Sequence, residues 1–301
     1  MRSIFFAILA LLNFNLLIGQ DYIEYYNFCN EGDKQIYLKN YEEALKNFNK
    51  AFSLVDYVHA NQYKSASLCA AHIGNIEKTY LYAKNAILNG LDPVFLKTKD
   101  FKKFRKTEKY KILCDSISIF QKQHLLSINL NYKKEIDSLY YIDQNIIRNN
   151  KSCKGNYNID KSKLPSNLFE LDSVIFEHLL TLIEKYGFPS EKKIGYEGYS
   201  NVWVLFHHNV RLPKNSKYLP ILKEALVKGE YLPRNYAWMY DQSLMFKQEE
   251  PYFYFGIALV DHLSDDKKME IDKRRKEHGI KPLESTIVKK RGNGIMQKFL
   301  W

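Results

Sequence analysis

The sequence predicts a mainly α protein: helical hairpin repeats first, then a second α-rich domain carrying a small β-hairpin. Three observations carry this. A 35-residue internal period runs through the first hundred residues. Apolar stripes at helical spacing recur through the rest, with Gly and Pro at their ends, and one aromatic, β-prone stretch at 251–259 breaks that rhythm. The chain has 301 residues, about twice the ~150 of one domain. Hydrophobic residues make up 46% and Tyr and Phe number 23 and 18, which excludes a disordered or low-complexity chain.

The elements follow in order. Arg2 and the apolar run Ile4 to Ile18, ending at Gly19-Gln20 before Asp21, read as a secretory signal peptide over 1–20. The run is shorter than the ~20 residues of a membrane span, and no later stretch qualifies. An exported, periplasmic or secreted chain is therefore expected. Cys29, Cys69, Cys114 and Cys153 then sit in an oxidising compartment that permits one or two disulfides, but the first three lie in apolar helical patterns where a buried thiol fits equally well. There is no CxxC.

Phe28, Gly32, Tyr41, Ala44, Phe48 and Ala51 recur 35 positions on as Tyr63, Ser67, Ile76, Thr79, Ala83 and Ala86. Small residues at these spacings let paired helices approach, and the large ones fill the gaps between them. Asn40 to Phe52 resembles the second helix of a tetratricopeptide repeat, and the copy from Gly74 is degenerate at Thr79 and Ala83. The resemblance covers about 110 residues, with the repeat region and its capping helices placed at 21–130. It implies a protein or peptide partner. Two such units leave an apolar face to be covered, and Phe95 to Phe120 reads as one or two closing helices after Asp92-Pro93. Lys97 to Lys111 holds eight basic residues against Asp100 and Glu108. That run reads as a solvated face, with contact to an anionic membrane through it, or through Lys289-Lys290-Arg291, as the functional alternative.

A helix and linker at 131–166 lead into a second α-rich domain at 167–301, the stretch 149–158 being dense in polar and turn-forming residues. Leu168, Leu171, Ile175, Leu179, Leu182, Ile183 and Tyr186 form one stripe closed by Gly187 and Pro189. Further helices are expected at 198–209, 217–228, 235–246 and 269–279. The order Gly187-Phe188-Pro189, Gly195, His207-His208-Asn209, Ala237 to Asp241, Phe255-Gly256, Ile271 to Arg275 and Gly279 to Leu283 resembles the bacterial domain family of unknown function catalogued as DUF6624. The likeness runs from about Leu168 to Leu283. The chain departs from the family pattern at Phe253 and Ile257, near a Gln and a Thr in relatives.

Chemistry is sparsely signalled. Adjacent helical side chains diverge by about 100°, so only one of His207 and His208 can face a given site. His208 with Asp241 and Arg274 would make a cluster for a carboxylate or phosphate, His208 accepting the proton and Arg274 clamping charge. The structural alternative pairs Asp241 with Arg274 and leaves His208 capping a helix. His207 or His208 with Asp261 and His262 fits no metal spacing, so no metal or cofactor is expected. Serine-hydrolase elbow, P-loop and HExxH signatures are absent from the sequence. Net charge is +11, divided as +5 in residues 1–150 and +6 beyond. Spread charge on an exported chain argues for surface character and against nucleic acid. The expectation is an interaction or scaffold protein, with a hydrolase-like envelope enzyme as the alternative.

Overall fold

The computed structural model of the chain describes residues 22–147, 168–210, 217–247, 254–257, 263–291 and 294–299. Its first four helices are α1 (22–37), α2 (Tyr41–Phe52), α3 (Ala60–His72) and α4 (Ile76–Leu88). Glu42 and Glu43 in the first turn of α2 and Lys50 in its last complement the helix dipole, and the Asn75 side chain caps α4 at Lys78 N. Short turns fold α1 with α2 and α3 with α4 into two helical pairs. Gly32 permits the first pairing, because a Cβ there would lie 2.8 Å from the Phe48 ring. Ala44, Phe48 and Ala51 are fully buried behind it, while Phe28 lies under the Lys50 ammonium and Tyr41 stacks on His72 at 3.9 Å. In the second pair Ser67, Thr79, Ala83 and Ala86 are buried, and Tyr63 packs edge-on to Phe52. Ile76, at the position equivalent to Tyr41, is 42% exposed.

Between the pairs and the next helix the chain takes three single 3₁₀ turns, Pro93–Lys97, Lys99–Phe101 and Phe104–Lys106, before α5 (Glu108–Ser127). The sequence expects regular helix from Phe95. Extended backbone at Thr98 and Thr107 interrupts it, and each break lets Phe95, Leu96, Phe101 and Phe104 turn inward together. Two cations of the basic run serve the fold: Arg105 donates to the carbonyls of Leu96 and Thr98, and Lys109 pairs with Glu77.

Helix α6 (Leu130–Tyr141) is capped by Asn129 and runs into a π-helical turn, Ile142–Ile147. After it come α7 (Leu168–Tyr186), α8 (Glu191–Val210), α9 (Leu219–Val227), α10 (Pro233–Lys247) and α11 (Asp265–Glu277). Helix α8 is kinked at Gly195, where φ is +76°. The kink seats His124 of α5, whose ring would stand 2.7 Å from a Cβ at Gly195 and whose Nδ1 donates to Leu88 O. Helix α11 has a Ser264 cap, Asp265 and Asp266 at its start and Arg274, Arg275 and Lys276 at its end.

One hydrophobic core runs from Tyr22 in α1 through Tyr132 in α6 to Ile280 beyond α11, and it crosses residue 130 without a break. Polar contacts tie the same surfaces. Glu191, at the start of α8, accepts from Ala60 N at 2.7 Å and Tyr57 Oη at 3.3 Å and pairs with His59 Nδ1 at 3.2 Å, and the Tyr26 hydroxyl meets His59 Nε2. Asn27 and Asn30 of α1 donate to the carbonyls of Lys276 and Gly279, and Lys281 pairs with Asp33. Helix α1 thus lies against both α2 and the end of α11.

Strands β1 (Thr286–Arg291) and β2 (Gly294–Phe299) form an antiparallel hairpin with Val288 opposite Gln297. The strand expected at 251–259 is not seen where it is described. Tyr254–Ile257 is a bend, because the Asp241 carboxylate takes the Phe255 and Ile257 amides that a ladder would use. Residues 251–253 and 258–259, the segment 1–20 expected to be a signal peptide, the expected linker from 148 and Cys153 lie outside the described residues. Cys29, Cys69 and Cys114 form no disulfide, and burial pushes the Cys69 thiol up to about 12 and the Cys29 thiol well above its ordinary value. Among the described residues no helix is long and apolar enough to cross a membrane.

Candidate functional site

Three elements of the second half bring polar side chains to one buried point. The π-turn after α6 carries Asp143, α7 carries Asp172 and α8 carries His208. One nitrogen of His208 and one oxygen from each carboxylate lie within 4.8 Å of one another. Asp143 is 1% exposed and Asp172 4%. His208 Nδ1 donates to Asp143 Oδ1 at 2.9 Å, and Gln144, next on the π-turn, donates to the other oxygen of Asp143. A carboxylate that accepts at Nδ1 fixes the ring's orientation and tautomer, so the proton chemistry of His208 is delivered through Nε2. The geometry can therefore support acid–base work or cation binding.

His207 turns away from this point, as the 100° divergence requires. Its ring stacks on Trp203 at 4.8 Å and 16° and lies 6.4 Å from Trp238.

The other two sequence candidates sit elsewhere and do structural work. Both oxygens of Asp241 are occupied by the amides of Phe255 at 2.8 Å and Ile257 at 2.9 Å. Burial raises its carboxyl to about 6, against the pull of those amides, Arg275 and Arg274. Arg274 donates through Nε to Tyr254 O, pairs with Glu270 at 2.7 Å and lies over the Tyr254 ring. Arg275, which is fully buried, completes the grip through the carbonyls of Phe255, Gly256 and Lys281. Asp241 and Arg274 thus meet at the 254–257 bend, and neither carries a hydrogen bond to His208 among the described residues. Asp261 and His262 lie outside the described residues.

Sequence reasoning missed Asp143, Asp172 and Gln144. Asp172 left a readable signal: it falls on the apolar stripe of α7, beside Leu171 and one turn before Ile175 and Phe176, all buried. A carboxylate on that stripe costs several kcal/mol unless something there uses it. Asp143 left none, because a π-turn changes the face a residue presents without altering the sequence pattern.

Two clefts open along the junction of the helical pairs with the second half. One of about 690 Å³ lies between α4, α5 and α8, with Ile87, Leu91 and Leu125 as its apolar lining and Asp92, Glu197 and Asn201 as its polar lining. Another of about 660 Å³ is lined by Tyr22, Tyr132, Tyr186, Lys192, Lys193 and Glu230, among others.

No curated protein and no solved structure matches the chain. A match to the family described as a family of unknown function (DUF6624) spans residues 131–293, from α6 into the hairpin, and so takes in all three residues of the buried cluster. Spanning more than half of the chain, that match makes the protein a member of the DUF6624 family.

Proposed function

We propose that the chain is an exported interaction protein in which tetratricopeptide-like helical pairs scaffold the DUF6624 domain and, together with it, wall a cleft for a peptide or protein partner. The observation that carries this is the ~690 Å³ cleft, which takes Ile87, Leu91 and Leu125 from one part and Tyr196, Glu197 and Asn201 from the other. Its volume suits a short segment of chain, and Leu125 offers an apolar anchor that is 48% exposed. The signal segment and the evenly spread charge support an extracytoplasmic protein partner over nucleic acid. The test is a photo-crosslinker at Gln121, on the cleft wall, with Lys46 as a distant control. A defined partner captured at Gln121 only, and lost with Leu125→Glu at unchanged melting temperature, supports the reading. Equal capture at both positions, or none, overturns it.

A second reading, a hydrolase-like envelope enzyme, is favoured by the 2.9 Å contact between His208 and Asp143. Asp143 would orient His208, and Nε2 would take a proton from water. Turnover of ester, amide or phosphoester reporters that falls by about 100-fold in folded His208→Gln protein supports it. Turnover that survives the change sinks it.

A further inference from the structure

We propose that Asp143, Asp172 and His208 bind one divalent transition cation, of the zinc or manganese class. The donor set is one imidazole and two carboxylates, from three separate elements, with the donor atoms within 4.8 Å of one another. Ligand atoms about 2.1 Å from a shared metal stand roughly 3.0–3.4 Å apart at octahedral or tetrahedral angles. His208 Nδ1 and Asp143 Oδ1, at 2.9 Å, already sit within about 0.1 Å of the short end of that range. With the imidazole proton moved to Nε2, the same two atoms face a cation in place of the proton between them. The rest of the set lies within 4.8 Å, so the donors have to draw together by about 1 to 2 Å at most around a cation.

The surroundings fit a metal centre. Gln144 holds the second oxygen of Asp143 and so fixes the carboxylate's plane, the outer-shell support that ligating groups need. Asp172 stands among buried Leu171, Ile175 and Phe176, so it is not part of a solvated face. Chemistry selects the class. Imidazole with carboxylate and no thiolate suits zinc, manganese or iron(II), whereas calcium takes six to eight oxygens. The spread of the ligands, with Asp143 lying 29 residues before Asp172 and 36 separating Asp172 from His208, explains why no local spacing motif announces the site.

The inference goes beyond the interaction reading and does not depend on it. It shares His208 with the enzyme reading but is read by binding alone. The experiment uses the full chain, free of any affinity tag and stripped with EDTA, titrated with ZnCl₂ by calorimetry. One equivalent is expected, unaffected by millimolar Mg²⁺ or Ca²⁺. Asp172→Asn and His208→Gln proteins with unchanged far-ultraviolet circular dichroism should bind about 100-fold more weakly or not at all. Unchanged affinity in both folded variants, or no binding to wild type at about 1 mM zinc, overturns the proposal. Should the variants not fold, zinc-edge X-ray absorption of the loaded wild type decides. One imidazole among oxygen donors supports the site; two or more imidazoles, or sulfur, overturn it.

Discussion

Replacing Glu191 by Ala should do more than lower stability; it should uncouple the two halves of the molecule. The Glu191 side chain is 4% exposed and its two oxygens serve three donors from the other half: Ala60 N–H at 2.7 Å, Tyr57 Oη at 3.3 Å and His59 Nδ1 at 3.2 Å. Each buried donor left without an acceptor costs about 1–3 kcal/mol. Tyr57 can partly relax toward solvent, but Ala60 N–H cannot turn, so the loss comes to about 3–5 kcal/mol. For a chain of this size that is a fall in melting temperature of roughly 6–15 °C. Urea unfolding should be followed by circular dichroism, which sees every helix, and by tryptophan fluorescence. All three tryptophans lie beyond residue 200, so fluorescence reports the DUF6624 half. The two traces should coincide in wild type and separate in Glu191→Ala, whereas Glu191→Gln, which keeps an acceptor for Ala60, should fall between. A loss under about 1 kcal/mol with coincident traces would refute the coupling.

Three other changes test the packing. Gly32→Val puts a side chain into the Phe48 ring, 2.8 Å from the site of its Cβ, and should cost about 1–3 kcal/mol in urea unfolding, partly recovered by Phe48→Leu. Arg275→Met strands the carbonyls of Phe255, Gly256 and Lys281 and leaves buried Asp241 with Arg274 alone of its two cations, for an expected thermal-unfolding loss of about 3–5 kcal/mol. Asp241 titrates at about 6 in the folded protein and at its ordinary 3.8 when unfolded. Between those values the folded state keeps a proton that the unfolded state has released. Stability from this group therefore falls as pH rises from 4 to 6, by about 2 kcal/mol, and by about 3 kcal/mol in all once the fall is complete near pH 7. The wild-type stability minus that of Asp241→Asn should slope downward across this window; a flat difference contradicts the assignment.

The helices were legible because their stripes and stops are local. Gly187 and Pro189 close α7 where the sequence places them, whereas α11, expected from 269, opens four residues earlier behind Ser264 and two aspartates. The turns at 93–106 were not, since Phe95, Phe101 and Phe104 recur at nearly helical spacing while extended backbone at Thr98, between the first two, and at Thr107, after the last, breaks the helix. His208 was found, but its partners were not. Asp143 owes its position to a π-turn and lies 65 residues away. Asp241 and Arg274 carry the residue types of an anion site, yet both are spent on the backbone of one bend. A carboxylate that holds two amides looks the same in a sequence as one that holds a substrate.

The fragment 131–293 isolates the region that the family match covers. Within the whole chain its Gly279 lies against the Tyr26 ring of α1, and Glu191 depends on donors at 57–60. Thermal unfolding of this fragment beside the full chain therefore tests most directly whether the helical pairs and the DUF6624 domain are one body. The fragment should melt broadly, and well below the full chain. A sharp transition at the full chain's own midpoint would contradict the account.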